Sequence, residues 1–363
     1  MQTKFNSTLN NLIKKYSLKE SVFAVGVSGG ADSLALAIFL HQWGKAKIVA
    51  LTVDHGLRKE SAKEAQYVSR VMAQYGIEHH LLKWEGKKPS KGIEEAARQA
   101  RYDLMEKWCT AHGIQSLFVG HHKQDQAETF LMRLQRGSGV YGLAAMAPVF
   151  VRGGIKIVRP LLDFFPSELQ YFLKSMKVKW VNDPHNFSDD FLRVRIRKML
   201  PKLDKEIGLS VDRINDTAKR MARVRNYLES QVSVFISENV SDFEDIVFGF
   251  DLKAFQSLHE EIGLRVLAEL LQKTGGKVYV PRLENLEHLR DALLKPGFKS
   301  QTLSGCEIIR QGSKIWIVPE MKSGKILKKK DWESFLKKNP EYRKLKLLYK
   351  IRLCLASIKG IVD

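Results

Sequence analysis

Cysteine is scarce in this chain of 363 residues, which contains only Cys109, Cys306 and Cys354. These residues lie far apart and form no C-x-x-C pair, which argues against a zinc site, an iron–sulfur site and a disulfide scaffold. The N-terminal segment lacks the apolar core of a secretory signal. No apolar run approaches the ~20 residues needed to span a bilayer. These absences predict a cytoplasmic protein with no membrane partner.

Acidic residues are also few relative to basic ones. The chain has 40 Asp and Glu against 60 Lys and Arg, which gives a formal net charge of +20. A positive charge of this size favours a nucleic-acid partner, because neutralising phosphates releases their counterions. A generally basic, solvated surface is the simpler alternative. The lysine-rich segment 322–350 leaves the same two alternatives open.

Strand and helix patterns alternate through the first 205 residues. Continuous runs of Val, Ile, Leu and Ala predict strands that are covered on both faces, and helical spacing recurs between them. Because this alternation is typical of βαβ units, we predict an α/β fold with a mostly parallel open sheet and helices on both faces. The predicted strands are 22–27, 47–53, 79–84, 117–120 and 155–158, and the predicted helices are 34–43, 61–75, 93–112 and one that runs through residue 134.

The pattern changes after residue 201. Helical spacing predominates over 204–238, as one helix or two, and then over 262–273 and 283–294. Short alternating runs from residue 300 predict a β-hairpin or a small sheet. We therefore predict three domains: an α/β catalytic domain at 1–205, a mainly helical domain ending in a hairpin at 206–325, and a basic tail or reduced module at 326–363.

Residues 28–33 read SGGADS and join the first predicted strand to the first predicted helix. Two glycines let backbone N–H groups turn towards a ligand, and the helix N-terminus adds partial positive charge, so the stretch predicts a phosphate site. It contains no lysine, and the Walker pattern does not fit it. A plain N-cap after a glycine turn is the alternative. The predicted nucleotide-binding residues are Ser28, Gly29, Gly30, Ala31, Asp32 and Ser33.

A carboxylate inside a phosphate site needs a cation to offset its charge. We therefore predict that Asp32 holds Mg²⁺ against phosphate oxygens. The stretch also resembles the PP-loop of the N-type ATP pyrophosphatases, which cleave ATP between the α- and β-phosphates. This resemblance implies ATP as the nucleotide. It accounts for the missing lysine, because no γ-phosphoryl group is transferred.

Two carboxylates follow the fourth predicted strand, in residues 120–146 (GHHKQDQAETFLMRLQRGSGVYGLAAM). Asp125 and Glu128 are three residues apart and share one helical face, where they could hold a cationic substrate or remove a proton. His121, His122 and Asp125 could suggest a metal site, but adjacent side chains on an extended segment point in opposite directions. Helix capping is the structural alternative for Asp125.

Three arginines alternate in residues 191–198 (FLRVRIRK), at Arg193, Arg195 and Arg197. On a helix they would span a broad basic face, whereas on a strand all three would point to one side. Either arrangement suits a phosphate or a substrate carboxylate. A solvated basic segment is the alternative.

Together these blocks resemble the tRNA(Ile)-lysidine synthetases, a family within the PP-loop superfamily. The resemblance covers residues 20–205 and continues more weakly to about residue 320. Further matching blocks are VDHGLR (53–58), AAR (96–98), RY (101–102), RPLL (159–162) and WVNDP (180–184). One departure is Val194, which stands where the family pattern has asparagine.

The resemblance implies a PP-loop ATPase fold of the adenine nucleotide α-hydrolase type, followed by a region that grips tRNA. It implies an enzyme that ligates L-lysine to C2 of the wobble cytidine in the CAU anticodon of tRNA(Ile). The implied reaction passes through an O2-adenylated cytidine, yields lysidine, AMP and pyrophosphate, and changes the specificity from Met to Ile. ATP and Mg²⁺ are the implied cofactors, and a homodimer is allowed.

The resemblance also assigns roles to residues. Asp125 would orient or deprotonate the lysine amine, and Arg101 would stabilise charge on the α-phosphate. A solvated helix face is the alternative for Arg101. The implied catalytic residues are Asp32, Asp125 and Arg101, the implied lysine-binding residues are Asp125, Glu128 and Arg195, and the implied RNA-binding residues are Arg136, Arg193 and Arg197.

Two other functions compete with this hypothesis. A PP-loop tRNA thiolase would need catalytic cysteines or an iron–sulfur site, and none of the three cysteines lies near residues 28–33 in sequence. A basic RNA-binding protein with an inactive nucleotide fold is the other alternative. The intact Ser28, Asp32, Ser33 and Asp125 argue against it.

Overall fold

The chain divides into two compact units, Met1–Arg225 and Asn226–Asp363. The computed structural model describes residues 1–57, 61–86, 88–89, 92–181, 191–243, 246–276 and 280–320, without the side chains of residues 62 and 94. The predicted module at 326–363 therefore lies outside the described residues. The division falls after Arg225, whereas the predicted boundary of the catalytic domain is at residue 205, and the bounds of that domain stay a prediction.

A mostly parallel, six-stranded sheet runs through the first unit. Its strands are β1 (Val22–Gly26), β2 (Lys47–Asp54), β3 (Glu78–Lys83), β4 (Ser116–Phe118), β5 (Val149–Arg152) and β6 (Ile155–Val158). The strand order is β3-β2-β1-β4-β6-β5, and only the pair β5–β6 is antiparallel. The predicted parallel sheet is confirmed. The edge strand β5 was not predicted, because it is short and only half-buried.

Helices cover both faces of this sheet, as predicted. The helices that begin in the first unit are α1 (Gln2–Tyr16), α2 (Ala31–Trp43), α3 (Ser61–Gln74), α4 (Ile93–Ala111), α5 (Lys123–Gln135), α6 (Val140–Leu143), α7 (Pro166–Ser175), α8 (Leu192–Ile207) and α9 (Val211–Asn239). Successive residues of β1 alternate between the faces. Phe23 and Val25 pack in one core with Ile38 of α2, and Ala24 packs in the other with Met105 of α4.

The basic stretch 191–198 lies in a helix rather than a strand. Helix α8 continues past Pro201 and ends at Gly208, whose φ of 66° is left-handed and favours glycine. The helical pattern predicted over 204–238 is therefore two helices. Helix α1 (Gln2–Tyr16), of which Phe5 and Leu9 are fully buried, was not predicted. Within the described residues, no helix has the length and apolar composition needed to cross a membrane.

The second unit contains a five-stranded antiparallel sheet of order β7-β8-β11-β10-β9. The elements of this unit are β7 (Val240–Phe243), β8 (Val247–Asp251), α10 (Leu252–Gln256), α11 (Glu260–Gly275), α12 (Leu283–Leu294), β9 (Ser300–Leu303), β10 (Cys306–Gln311) and β11 (Lys314–Pro319). The predicted hairpin is confirmed as β10 and β11. It belongs to a larger sheet, because β8 pairs with β11 although three helices and two strands lie between them in the chain.

Candidate active site

The loop of residues 28–33 connects the carboxyl end of β1 to the start of α2. The Ser33 hydroxyl accepts a hydrogen bond from the Ser28 backbone N–H (3.1 Å) and donates one to the Gly30 carbonyl (3.0 Å), which closes the loop on itself. Gly29 has a φ of 86°, and a Cβ there would lie 3.2 Å from Val68 Cγ2. Gly30 is the N-cap, and no side chain caps the helix, so the loop can bind an anion with its N–H groups.

Asp32 lies in the first turn of α2, with its Oδ2 3.6 Å from His122 Nε2. Its other oxygen, Oδ1, is buried and has no hydrogen-bond partner among the described residues. Burial raises the pKa of Asp32, although the nearby His122 acts in the opposite direction. A buried carboxylate oxygen without a partner beside a phosphate loop is the donor that Mg²⁺ prefers. The residues present therefore fit a magnesium ion.

His122 connects this loop to α5. Its Nδ1 accepts a hydrogen bond from the Asp125 backbone N–H (3.2 Å), and Asp125 Oδ2 accepts one from the His122 backbone N–H (3.0 Å). This reciprocal pair caps α5, so Asp125 does take part in helix capping, which was the alternative role considered for it. Burial opposes ionisation of Asp125, but His122 and Arg193 outweigh it and lower the pKa of Asp125. His122 thus lies between two carboxylates, Asp32 and Asp125.

Glu128 lies one turn further along α5 and is fully buried. Arg197 donates to its Oε1 from Nε (2.6 Å) and to its Oε2 from an Nη (3.2 Å). Arg193 Nε lies 3.5 Å from the same Oε2. The structure therefore brings one predicted lysine-binding residue and two predicted RNA-binding residues into one ion-pair cluster between α5 and α8.

Arg195 and Arg136 lie outside that cluster. Arg195 is exposed on the other side of α8, because a side chain two positions along a helix is rotated by about 200°. Arg136 is exposed at the end of α5. The turn that follows is held by Arg133, which donates to the carbonyls of Gly142 (3.0 Å) and Ala145 (2.9 Å).

Arg101 belongs to a second group of charges, which we call the arginine cluster: Arg98, Arg101 and Arg159. The guanidinium carbons of Arg98 and Arg101 each lie 5.5 Å from the ring centre of Tyr102. Arg159, only 7% exposed, donates from Nε to His121 Nδ1 (3.4 Å). Burial lowers the pKa of His121 to about 3; Asp125 acts in the opposite direction, and the three arginines add to the lowering. His121 is therefore neutral.

Comparison with known proteins assigns the family. Residues 1–203, more than half of the chain, match the PP-loop domain family. The tRNA(Ile)-lysidine synthase of Wolbachia pipientis is 37% identical over 316 residues, which cover 85% of this chain and 73% of the relative. The chain belongs to the tRNA(Ile)-lysidine synthase family. The Rhodopseudomonas palustris member is 37% identical over 313 residues, covering 81% of this chain and 89% of the relative.

Membership of this family confirms the resemblance seen in the sequence and makes the chain an ATP-using enzyme of the PP-loop type. Among solved structures, a U34-tRNA thiolase from Methanococcus maripaludis superposes with a TM-score of 0.52 at 19% identity. The match covers 61% of this chain and 79% of that one. At this identity the similarity shows a shared PP-loop fold and nothing about the reaction.

Sequence reasoning missed several residues of this lysidine synthase site. It did not find His122 as the connection between Asp32 and Asp125, although it predicted that the two adjacent histidines point apart. Tyr102 and Arg159 were noted only as parts of the matching blocks RY (101–102) and RPLL (159–162). It also missed His55, whose pKa is lowered by burial and by Arg101 and whose Nδ1 has no partner in the described structure. The available signal was position, since His55 and Arg159 directly follow β2 and β6, and His121 is the third residue after β4.

Proposed function

We propose that this chain ligates L-lysine to C2 of the wobble cytidine in the CAU anticodon of tRNA(Ile). ATP activates the cytidine at O2, and the products are lysidine, AMP and pyrophosphate, which changes the specificity from Met to Ile. The observation that supports this proposal best is the position of His122 between Asp32 and Asp125. It puts a carboxylate suited to a lysine amine beside the loop suited to ATP.

The loop of residues 28–33 would hold the pyrophosphate end of ATP with its backbone N–H groups. Asp32 would hold Mg²⁺, which supplies positive charge to the phosphate oxygens when bound. Arg101 would stabilise the charge that develops on the α-phosphate during transfer, since a half-buried guanidinium acts more strongly than a fully solvated one.

Asp125 would orient the lysine ε-amine or deprotonate it, because only the neutral amine attacks. Its lowered pKa keeps it ionised, which suits an ion pair with the ammonium form of lysine. Glu128 reaches a bound lysine only if Arg197 releases one of its oxygens. Arg195 and Arg136 are exposed, so they are the arginines available for the phosphates of tRNA or for the lysine carboxylate.

The test is a ligation assay with a tRNA(Ile) transcript, ATP, Mg²⁺ and radiolabelled lysine. We expect the label to enter the RNA only when ATP is present, with AMP and pyrophosphate formed in equal amounts. The Asp32→Asn variant should bind tRNA as the wild type does and release no pyrophosphate. If the wild type binds the transcript and no label enters it, the proposal is wrong.

A further inference from the structure

The hydroxyl of Tyr102 is a buried donor without a partner. The residue is 4% exposed, and none of the described residues makes a hydrogen bond to its oxygen. Arg101 and Arg159 approach this hydroxyl, but a guanidinium can only donate, so neither can accept the Tyr102 proton. A buried polar group without a partner is destabilising, so a phenylalanine at this position would make the folded protein more stable. The hydroxyl therefore indicates a ligand that accepts its proton.

The charges around this hydroxyl indicate the sign of the ligand. In the described part of the chain, no carboxylate forms an ion pair with Arg98, Arg101 or Arg159. Arg152 also lies over the Tyr102 ring, at 5.2 Å, but it is neutralised by Asp103 (2.5 Å) and Glu106 (3.1 Å). The arginine cluster thus keeps its positive charge, and a donor hydroxyl surrounded by guanidinium groups fits a phosphate oxygen.

The position of this cluster separates it from the loop of residues 28–33. Tyr102 packs in the core on the α4 face of the sheet, whereas α2, which begins in that loop, packs on the opposite face. The neutral His121 accepts a hydrogen bond from Arg159 and also interacts with Asp125. An anion in the cluster is therefore a different group from the pyrophosphate on the loop.

We propose that Tyr102, Arg98 and Arg159 form a second phosphate site, which binds a phosphate ester. The Tyr102 hydroxyl donates to a phosphate oxygen, and the guanidinium groups balance its charge. The site rests on the proposed function, which supplies two such esters: the α-phosphate of ATP and a backbone phosphodiester of tRNA. Both have the same chemistry, and binding measurements distinguish them.

The decisive variant is Tyr102→Phe, which removes one oxygen and leaves the ring in place. Because the proton of that hydroxyl has no acceptor among the described residues, a purely structural role predicts an unchanged or higher melting temperature and unchanged binding. The second phosphate site predicts the same stability together with about tenfold weaker binding of one ligand. The two ligands measured are α,β-methylene-ATP without tRNA, and the tRNA(Ile) transcript without nucleotide.

Weaker binding of the ATP analogue alone assigns the site to the α-phosphate, and weaker binding of tRNA alone assigns it to the RNA backbone. Arg98→Gln should weaken the same ligand, while Lys107→Gln, on the exposed side of the same helix, removes equal charge and should change neither. If Tyr102→Phe binds both ligands as the wild type does, the site is refuted. That result is distinct from failure of the proposed function, which shows as a wild type that never ligates lysine.

Discussion

Two adjacent histidines in one short segment have different side-chain partners. His122 faces Asp32 and Asp125 and caps α5, whereas His121 accepts a hydrogen bond from Arg159 and stays neutral. The cause is the extended backbone before α5, which points successive side chains in opposite directions. The segment therefore gives the two histidines different hydrogen-bond partners.

The neutral state of His121 makes the stability of the protein sensitive to acid. The folded pKa is about 3 and the ordinary value is 6.5, so between these values the unfolded chain binds a proton that the folded chain does not. This residue contributes stability above pH 6.5, and the contribution is lost as the pH falls towards 3. From pH 7 to pH 5 we expect a loss of about 2 kcal/mol that His121→Gln does not show.

Urea unfolding of both proteins at the two pH values measures this difference. Nitrogen NMR of the imidazole ring gives a second reading, in which His121 of the folded protein should stay neutral at pH 5. An equal loss of stability in wild type and variant would contradict the buried, neutral state of this residue.

Arg197 and Arg195 allow a matched test on one helix. Arg197→Gln leaves Glu128 buried with only Arg193 beside it, at 3.5 Å, and should lower the free energy of unfolding by about 1–3 kcal/mol. Arg195→Gln changes an exposed side chain and should stay within about 0.5 kcal/mol of the wild type. Urea unfolding at neutral pH checks both values. Equal stability of the two variants would mean that the ion-pair cluster does not hold α5 to α8.

At the scale of elements, the site depends on how closely the segment after β4 approaches the start of α2. A Cβ on Gly120 would lie 3.1 Å from the Asp32 carbonyl carbon, 3.1 Å from the Ser33 nitrogen and 3.2 Å from the Asp32 oxygen. All three are backbone atoms, which cannot rotate away as a side chain can. The absence of a side chain at Gly120 therefore sets the distance between the loop of residues 28–33 and the cap of α5.

Gly120→Ala should move the start of α2 and weaken ATP binding about tenfold, since small misplacements of binding groups are costly. Gly297→Ala is the control, because a Cβ there meets nothing within 4 Å and its φ is not left-handed. Calorimetric titration with α,β-methylene-ATP measures both. Unchanged affinity in Gly120→Ala would show that the loop tolerates displacement.

At the scale of the whole molecule, the net charge of +20 is the property that bears on a nucleic-acid partner. Binding that neutralises phosphates releases counterions, so raising NaCl from 50 to 200 mM should weaken tRNA binding at least ~10-fold. Binding of α,β-methylene-ATP, which carries far fewer negative charges than tRNA, should change much less. Filter binding at several salt concentrations measures how the logarithm of the tRNA affinity falls with the logarithm of the salt concentration. An affinity that does not change with salt would contradict the argument from charge for an RNA partner.

Much of the fold was predictable, because its signals are local. Continuous apolar runs identified five of the six strands in the first sheet, and helical spacing identified α2, α3, α4 and α5. The second sheet was only partly predictable. Its strands β8 and β11 pair although three helices and two strands separate them in the chain, and no local pattern encodes such a partner.

The conformation of residues 28–33 could be predicted from the sequence, since the left-handed backbone at Gly29 and the start of α2 are local properties of SGGADS. The sequence by itself also determined the family, through matching blocks and net charge. Only the tertiary structure decided which charges meet: Glu128 with Arg193 and Arg197, and His122 with Asp32. The physical reason is that ion pairs and buried donors depend on the distance between elements, which spacing along one chain does not encode.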